Sequence, residues 1–528
     1  MPRDSKDVFQ QPSAGTVTHD EPPPGVGRGA STRTFFGQPV GLSTLFFTEM
    51  WERFSFYGIR PLLILFMTAA LATGGFNFTR ETAGAIVGIY SACVYLSALP
   101  GGWIADRLLG LRKAIWYGAI LIALGHISIA LSIVFAHSAF FIGLILIVLG
   151  TGLLKPNISA IVGDLYPEGG ARRDAGFSIF YMGINLGALI APLVTGYLGE
   201  KIAWHLGFGA AGVGMLVGVF TYWRRADKTL GDVGTVPAST DPAEHRRIKL
   251  IVGLGVAIIA LLVLLTMTGV MTINPVSIAR RMTVVIVAMA LLYFAYVFLA
   301  GGLNTEEKKR VLIIFLLFVF AAIFWSAFEQ APTSLNLFAH DFTDRRVFGW
   351  EMPTLWLQSA NSVFVIALAP VFGMIWVGLA KRGRAPSSVA KFAWGLFFAG
   401  LGFVVMLVAA NVVISGGGKA LVSPWWLVLS YLFQTFGELS LSPVGLSSMT
   451  KLAPLKFKGQ MMGVWFMADA LGNLIAGLVG GHVDPEKLQE MPTLFRQTSV
   501  SLFIAAAVCG LLVFPVRKMM KGVPAGDR

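Results

Sequence analysis

Long apolar runs broken by short polar stretches fill the chain from residue 44 to residue 516. From Ala114 to Leu154 there is no Asp, Glu, Lys or Arg. Such runs exceed the roughly 20 residues that a helix needs to cross the hydrocarbon core of a bilayer. The pattern predicts helical spans near 44–70, 82–105, 112–134, 139–166, 174–198 and 204–223. A charged linker from Arg224 to Lys249 follows, then two spans near 249–270 and 281–300. After the charged cluster Glu306-Glu307-Lys308-Lys309-Arg310 come six more, near 311–338, 352–379, 388–414, 424–449, 457–480 and 495–516.

Composition supports many crossings: 55% of the residues are hydrophobic and 13% charged, against about a quarter charged in a soluble chain. The formal net charge of +13 raises nucleic acid as a partner. The basic residues instead sit in short clusters between apolar runs. Arg107, Arg112, Lys113, Arg172, Arg173, Arg224, Arg225, Lys308, Lys309, Lys381 and Arg382 fall on loops of one side. The other side holds fewer, among them Arg80, Lys201, Arg280 and Lys419. That asymmetry predicts cytoplasmic termini and no nucleic-acid partner. Met1 to Arg33 is rich in Pro, Gly, Ser and charge, and reads as a disordered tail rather than a signal peptide. Cys93 and Cys509 lie in apolar runs, so neither a disulfide framework nor zinc spacing is expected.

The expected organisation is a tail (1–43), a six-helix bundle (44–223), a linker with two extra membrane helices (224–310), a second six-helix bundle (311–516) and a short tail (517–528). Two six-helix halves joined by a charged linker are the pattern of the major facilitator fold. The fold class is thus an all-α membrane protein with 14 transmembrane helices. The stretch Gly102-Trp-Ile-Ala-Asp106-Arg107-Leu-Leu-Gly-Leu-Arg112-Lys113 resembles the facilitator loop signature, a charge latch on the cytoplasmic side.

Charges inside the spans carry the functional reading, because each costs roughly 2.5–3.5 kcal/mol at the bilayer centre. The first span holds Glu49, Glu52, Arg53 and Arg60. With Glu49 at zero, Glu52 falls at about −60°, Arg53 at about +40° and Arg60 at about +20° on a helical wheel. The opposite face carries Phe47, Trp51, Phe54 and Leu62. One polar stripe on a spanning helix points to a wet cavity; local ion pairs such as Glu49–Arg53 are the plainer alternative. Lys155 stands alone in the fourth span before Pro156, and needs a carboxylate partner unless it reaches the surface. Glu329 and Glu438 offer carboxylates in the second half. Asp469 has no evident partner and reads as a helix-end or supporting residue.

The string Glu49-Met-Trp-Glu52-Arg53-Phe54-Ser-Phe56-Tyr57-Gly58 resembles ExxERFxYYG, the signature of the proton-coupled oligopeptide transporter family, with Phe56 in place of the first tyrosine. Phe177-Ser-Ile-Phe180-Tyr181-Met-Gly-Ile-Asn185-Leu-Gly187 and Gly437-Glu438-Leu-Ser-Leu-Ser442-Pro443-Val-Gly445-Leu-Ser447 are two further matches. The resemblance covers about Phe35 to Val516 and, with the two extra helices, fits bacterial members. It implies proton-coupled symport of di- and tripeptides by alternating access, without a cofactor, by a functional monomer in a bacterial inner membrane. Glu49, Glu52, Arg53 and Lys155 resemble the proton-coupling group. Arg53, Tyr57, Tyr95, Lys155, Asn185, Trp325, Asn361, Glu438, Ser442 and Trp465 resemble the peptide-binding set, and Arg60 with Glu329 an extracellular gate. Animal members also use an early histidine. Here none lies between Gly41 and Gly125, which leaves protonation to carboxylates.

A free peptide has one amine, one carboxylate and an amide backbone as its constant features. Bases in one half and an acid in the other would recognise both ends without reading side chains. Within the same fold, a carrier of nitrate or an organic anion is the rival, but it has no use for Glu438. An intramembrane enzyme would need a nucleophile with a base, or a metal cluster. The histidines outside tail and linker are scattered, and HExxH is absent. Paired opposite charges also disfavour a passive channel.

Overall fold

The computed structural model describes residues 33–519. Of the expected tails, residues 1–32 and 520–528 lie outside the described residues. Residues 34–39, expected in the first tail, pair as a two-stranded hairpin that leads directly into the first helix.

The N-terminal half consists of α1 (Gly41–Thr68), α2 (Arg80–Ile104), α3 (Leu111–Ala130), α4 (Ser132–Asp164), α5 (Gly170–Lys201) and α6 (Trp204–Leu230). Two central helices follow, α7 (Pro242–Met267) and α8 (Pro275–Ala300). In the C-terminal half, α9 (Thr305–Phe328) passes through a wide turn at Ala331–Leu335 into the short α10 (Asn336–Asp341). Then come α11 (Ser359–Lys381), α12 (Ser388–Ser415), α13 (Trp425–Leu452), α14 (Lys458–Val479) and α15 (Glu490–Met519). Among the described residues, 12 helices are long and apolar enough to cross a membrane. Two more, α1 and α13, have the length but carry more polar content: four charges in α1, and Gln434, Glu438 and several serines in α13. Together they complete the expected fourteen, and those two exceptions are the helices that bear the motif charges.

Local signals set the helix ends. Asn304 and Glu307 form a capping box at the start of α9. Asp241 and Asn274 cap α7 and α8, each followed by Pro at the first position. α6 runs seven residues past its expected end, to Leu230, so Arg224, Arg225 and Lys228 are helical rather than linker. In the facilitator-like loop, Arg107 pairs with Glu244 at 2.6 Å and Arg112 with Asp227, which fastens the loop to α7 and α6.

Within the first half α1 packs on α5 and α6, and α4 on α2 and α3. Within the second, α12 packs on α13 and α15, and α14 on α9. The halves meet through α2 against α14 and α5 against α11. The apolar face of α1 closes on α6, where Trp51 and Phe54 lie over Gly214. Its polar stripe is thereby turned toward the middle of the molecule.

An even number of spans puts both termini on one side. At the opposite end the halves are tied. Arg60 pairs with Glu329, Arg80 with Asp341, and Asn336 Nδ2 donates to the Pro61 carbonyl at 2.8 Å. Glu200 accepts from the Thr354 and Leu355 amides at 2.8 and 2.9 Å. A Cβ on Gly84 of α2 would stand 2.5 Å from the Gly477 carbonyl of α14, so backbone meets backbone there.

Candidate substrate and proton site

The α1 stripe forms one buried cluster. Arg53 Nη2 donates to Glu52 Oε1 at 2.7 Å, and Nε to Glu52 Oε2. Glu49 Oε1 lies 3.4 Å from Arg53 Nε, four residues back on the helix. All three side chains are about 2% exposed or less. A buried guanidinium must be paired to stay charged at tolerable cost, and here Glu52 takes the Nε and Nη2 edge of its fork. The local-pair reading therefore holds for Glu49, Glu52 and Arg53, while Arg60 reaches across to the other half.

Packing fixes the cluster from behind. A Cβ on Gly187, the last residue of the second motif, would fall 2.3 Å from the Met50 carbonyl and 3.2 Å from Arg53 Cβ. The motif glycine thus lets α5 lie directly against the arginine. Phe56 is 1% exposed, its ring 5.0 Å from the Arg53 Cζ and 5.6 Å from the Arg60 Cζ. It serves as a shared cation–π floor for both arginines, a role the missing hydroxyl does not touch.

Lys155 is placed differently from expectation. Its nearest carboxylates are beyond ion-pair distance among the described residues, and Nζ sits 4.2 Å over the Tyr95 ring. On the C-terminal side Glu438 accepts from Asn361 Nδ2 at 3.2 Å, and the same amide reaches Thr435 Oγ1 at 2.9 Å. Asn361 thereby orients the acid. Ser442 lies one turn further along α13 and is half-buried. Trp325 and Trp465 meet edge to face at 6.5 Å. The Tyr57 ring stands 6.0 Å from the Arg53 guanidinium. Asn185 donates one Nδ2 hydrogen to the Tyr181 carbonyl at 2.9 Å, which leaves its oxygen and its second N–H for a ligand. Glu49 Oε2 and Trp325 Nε1 are buried and keep a free hydrogen-bonding valence among the described residues.

The helix-end reading of Asp469 does not hold. It lies in mid α14, 6% exposed, and accepts from Asn473 Nδ2 at 3.0 Å. Asn473 in turn accepts from Arg60, which also donates Nε to Ser91 Oγ at 2.9 Å. Asn473, Ser91, Glu200 and the Arg80–Asp341 pair are contacts that sequence reasoning missed. Only Asn473 left a trace, its spacing of four from Asp469 and eight from Trp465.

The arrangement is bipolar: bases of α1 and α4 on one side, an amide-held acid of α13 on the other, with the end away from the termini closed. A family model described as the POT family matches residues 112–493. The peptide transporter YePEPT of Yersinia enterocolitica is 53% identical over 498 residues, 92% of this chain and 96% of that one. A di-/tripeptide transporter of Lactococcus lactis is 38% identical, covering 91% and 95%. A crystal structure of a peptide transporter POT in complex with sulfate superposes with a TM-score of 0.86 at 42% identity, covering 94% of this chain and 98% of that chain. The chain therefore belongs to the POT family, the proton-coupled oligopeptide transporters whose signature its first helix resembles.

Proposed function

We propose that this membrane transporter carries di- and tripeptides into the cell with protons, from a bacterial inner membrane with both termini cytoplasmic, as a monomer. The observation that carries the reading is the bidentate Glu52–Arg53 pair. A guanidinium so engaged offers its Nε and Nη2 edge to a peptide carboxylate only once its partner is neutralised. Protonation of Glu52, assisted by Glu49, releases Arg53, and Lys155 supplies the second cation. Glu438, oriented by Asn361, takes the peptide amine. A peptide held at both ends bridges the halves, and the Arg60–Glu329 gate closes behind it. Proton loss toward the cytoplasm restores the Arg53 pair and expels the peptide. Each inward proton supplies about 2.3 kcal/mol per 100 mV of membrane potential. The names of the Yersinia and Lactococcus relatives support the peptide assignment.

Competition tests the substrate class. In proteoliposomes under an imposed proton gradient, uptake of labelled dialanine should be blocked by unlabelled dialanine and unaffected by nitrate. Inhibition by nitrate with none by dialanine would favour an anion carrier.

A further inference from the structure

A groove of about 220 Å³ lies between α8 and α9, away from the substrate site. Its floor includes Phe294 and Val311, both buried. Its walls include Leu291 of α8 and Leu312 of α9, which lie open at the outer surface. Phe294 meets Phe315 edge to face at 5.0 Å, so rings rather than close backbone packing join the two helices there. The lining residues are all apolar. Bases stand at one end. Lys308 shares a face of α9 with Leu312 and Phe315, one and two turns before them. Its Nζ is 5.9 Å from the ring of Phe298, which lines the same groove. Three residues on, the Gly301 carbonyl accepts from Lys456 Nζ at 3.2 Å. The nearby acids are engaged elsewhere: Glu306 pairs with Lys309 at 2.7 Å, and Glu307 accepts from the Asn304 amide at 3.0 Å. A lysine at a helix end ordinarily extends to water. Lys308 instead is half-buried over an aromatic ring, with no ion pair among the described residues.

We infer that the α8–α9 groove binds an anionic phospholipid, with its phosphate at Lys308 and one acyl chain along Phe298, Phe294 and Phe315. Lys456 adds positive charge at the same end. That end carries the termini, because α8 finishes and α9 begins there; with cytoplasmic termini it faces the inner leaflet, where basic pockets between membrane helices take anionic headgroups. A zwitterionic lipid would fill the apolar part equally well, but its own ammonium would leave Lys308 uncompensated. The bound lipid fills the gap between α8 and α9 and so joins the two extra helices to the second bundle. Binding does not depend on the peptide reading.

Native mass spectrometry of the full chain, from micelles holding equal amounts of phosphatidylglycerol and phosphatidylcholine, counts the lipids retained. The wild type should keep phosphatidylglycerol in preference. Lys308→Ala should weaken that retention about fivefold, the effect of one ammonium at an anionic membrane surface. Ala295→Trp, which fills the groove and leaves both lysines in place, should also lower it. Lys309→Ala, whose ammonium is paired with Glu306, should retain phosphatidylglycerol as the wild type does. Equal retention of the two lipids by the wild type overturns the inference, as does unchanged retention in either Lys308→Ala or Ala295→Trp. An equal loss in Lys309→Ala would mark a diffuse basic surface rather than this groove, and a lipid-free species of two chains would assign the groove to a second copy; either result overturns it too.

Discussion

Lys155→Ala should abolish proton-driven accumulation of dialanine. The lysine lies over Tyr95 rather than in an ion pair, so its ammonium is held ready for an incoming carboxylate. A hydrogen bond to a charged group contributes about 1.5–3 kcal/mol. Its loss should weaken dipeptide binding about 10- to 150-fold. Initial uptake rates in proteoliposomes, with and without a proton gradient, measure the loss. Accumulation at the wild-type level would remove Lys155 from the coupling scheme.

Arg60→Ala should shift the transporter away from the state seen here. Arg60 and Glu329 are each about 6% exposed, and the guanidinium also serves Asn473 and Ser91. Removing one partner of a buried pair costs about 3–5 kcal/mol where the pair is formed. That cost falls only on the conformer with this end closed. The equilibrium should therefore move toward opening by about 150- to 5,000-fold. Spin labels replacing Glu81 and Lys487, after substitution of Cys93 and Cys509, report the separation of the halves at that end. Their native pair is exposed at 3.1 Å and contributes little. The distance distribution should lengthen in Arg60→Ala; an unchanged distribution would mean that the pair does not hold the end shut.

Some of this was legible before any coordinates. The four charges of α1 fall on one face of a helix, and their spacing alone turned them inward. The Glu49–Arg53 contact follows from a separation of four. Asn361 beside Glu438 joins α11 to α13, and only the family resemblance pointed to it. Contacts across the halves had no local signal at all: Arg60 meets Asn473 across 413 positions of chain. For Asp469 the helix-end alternative fails and the supporting one remains, since it reaches Arg60 only through Asn473. Lys155 was expected on a carboxylate and found on an aromatic face, since Arg53 already occupies Glu52. Phe56 marked a departure from the motif, yet its ring sits between two guanidinium groups, where packing matters more than a hydroxyl.

Coupling stands on the release of Arg53 from Glu52 by a proton and the capture of a peptide carboxylate in place of Glu52. Dipeptide-stimulated proton uptake into liposomes tests that link most directly. With a pH-sensitive dye inside and no other driving force, external dialanine should acidify vesicles containing the wild-type protein, and Glu52→Gln should suppress the signal. Dialanine entry without acidification, or acidification that persists in Glu52→Gln, would contradict it.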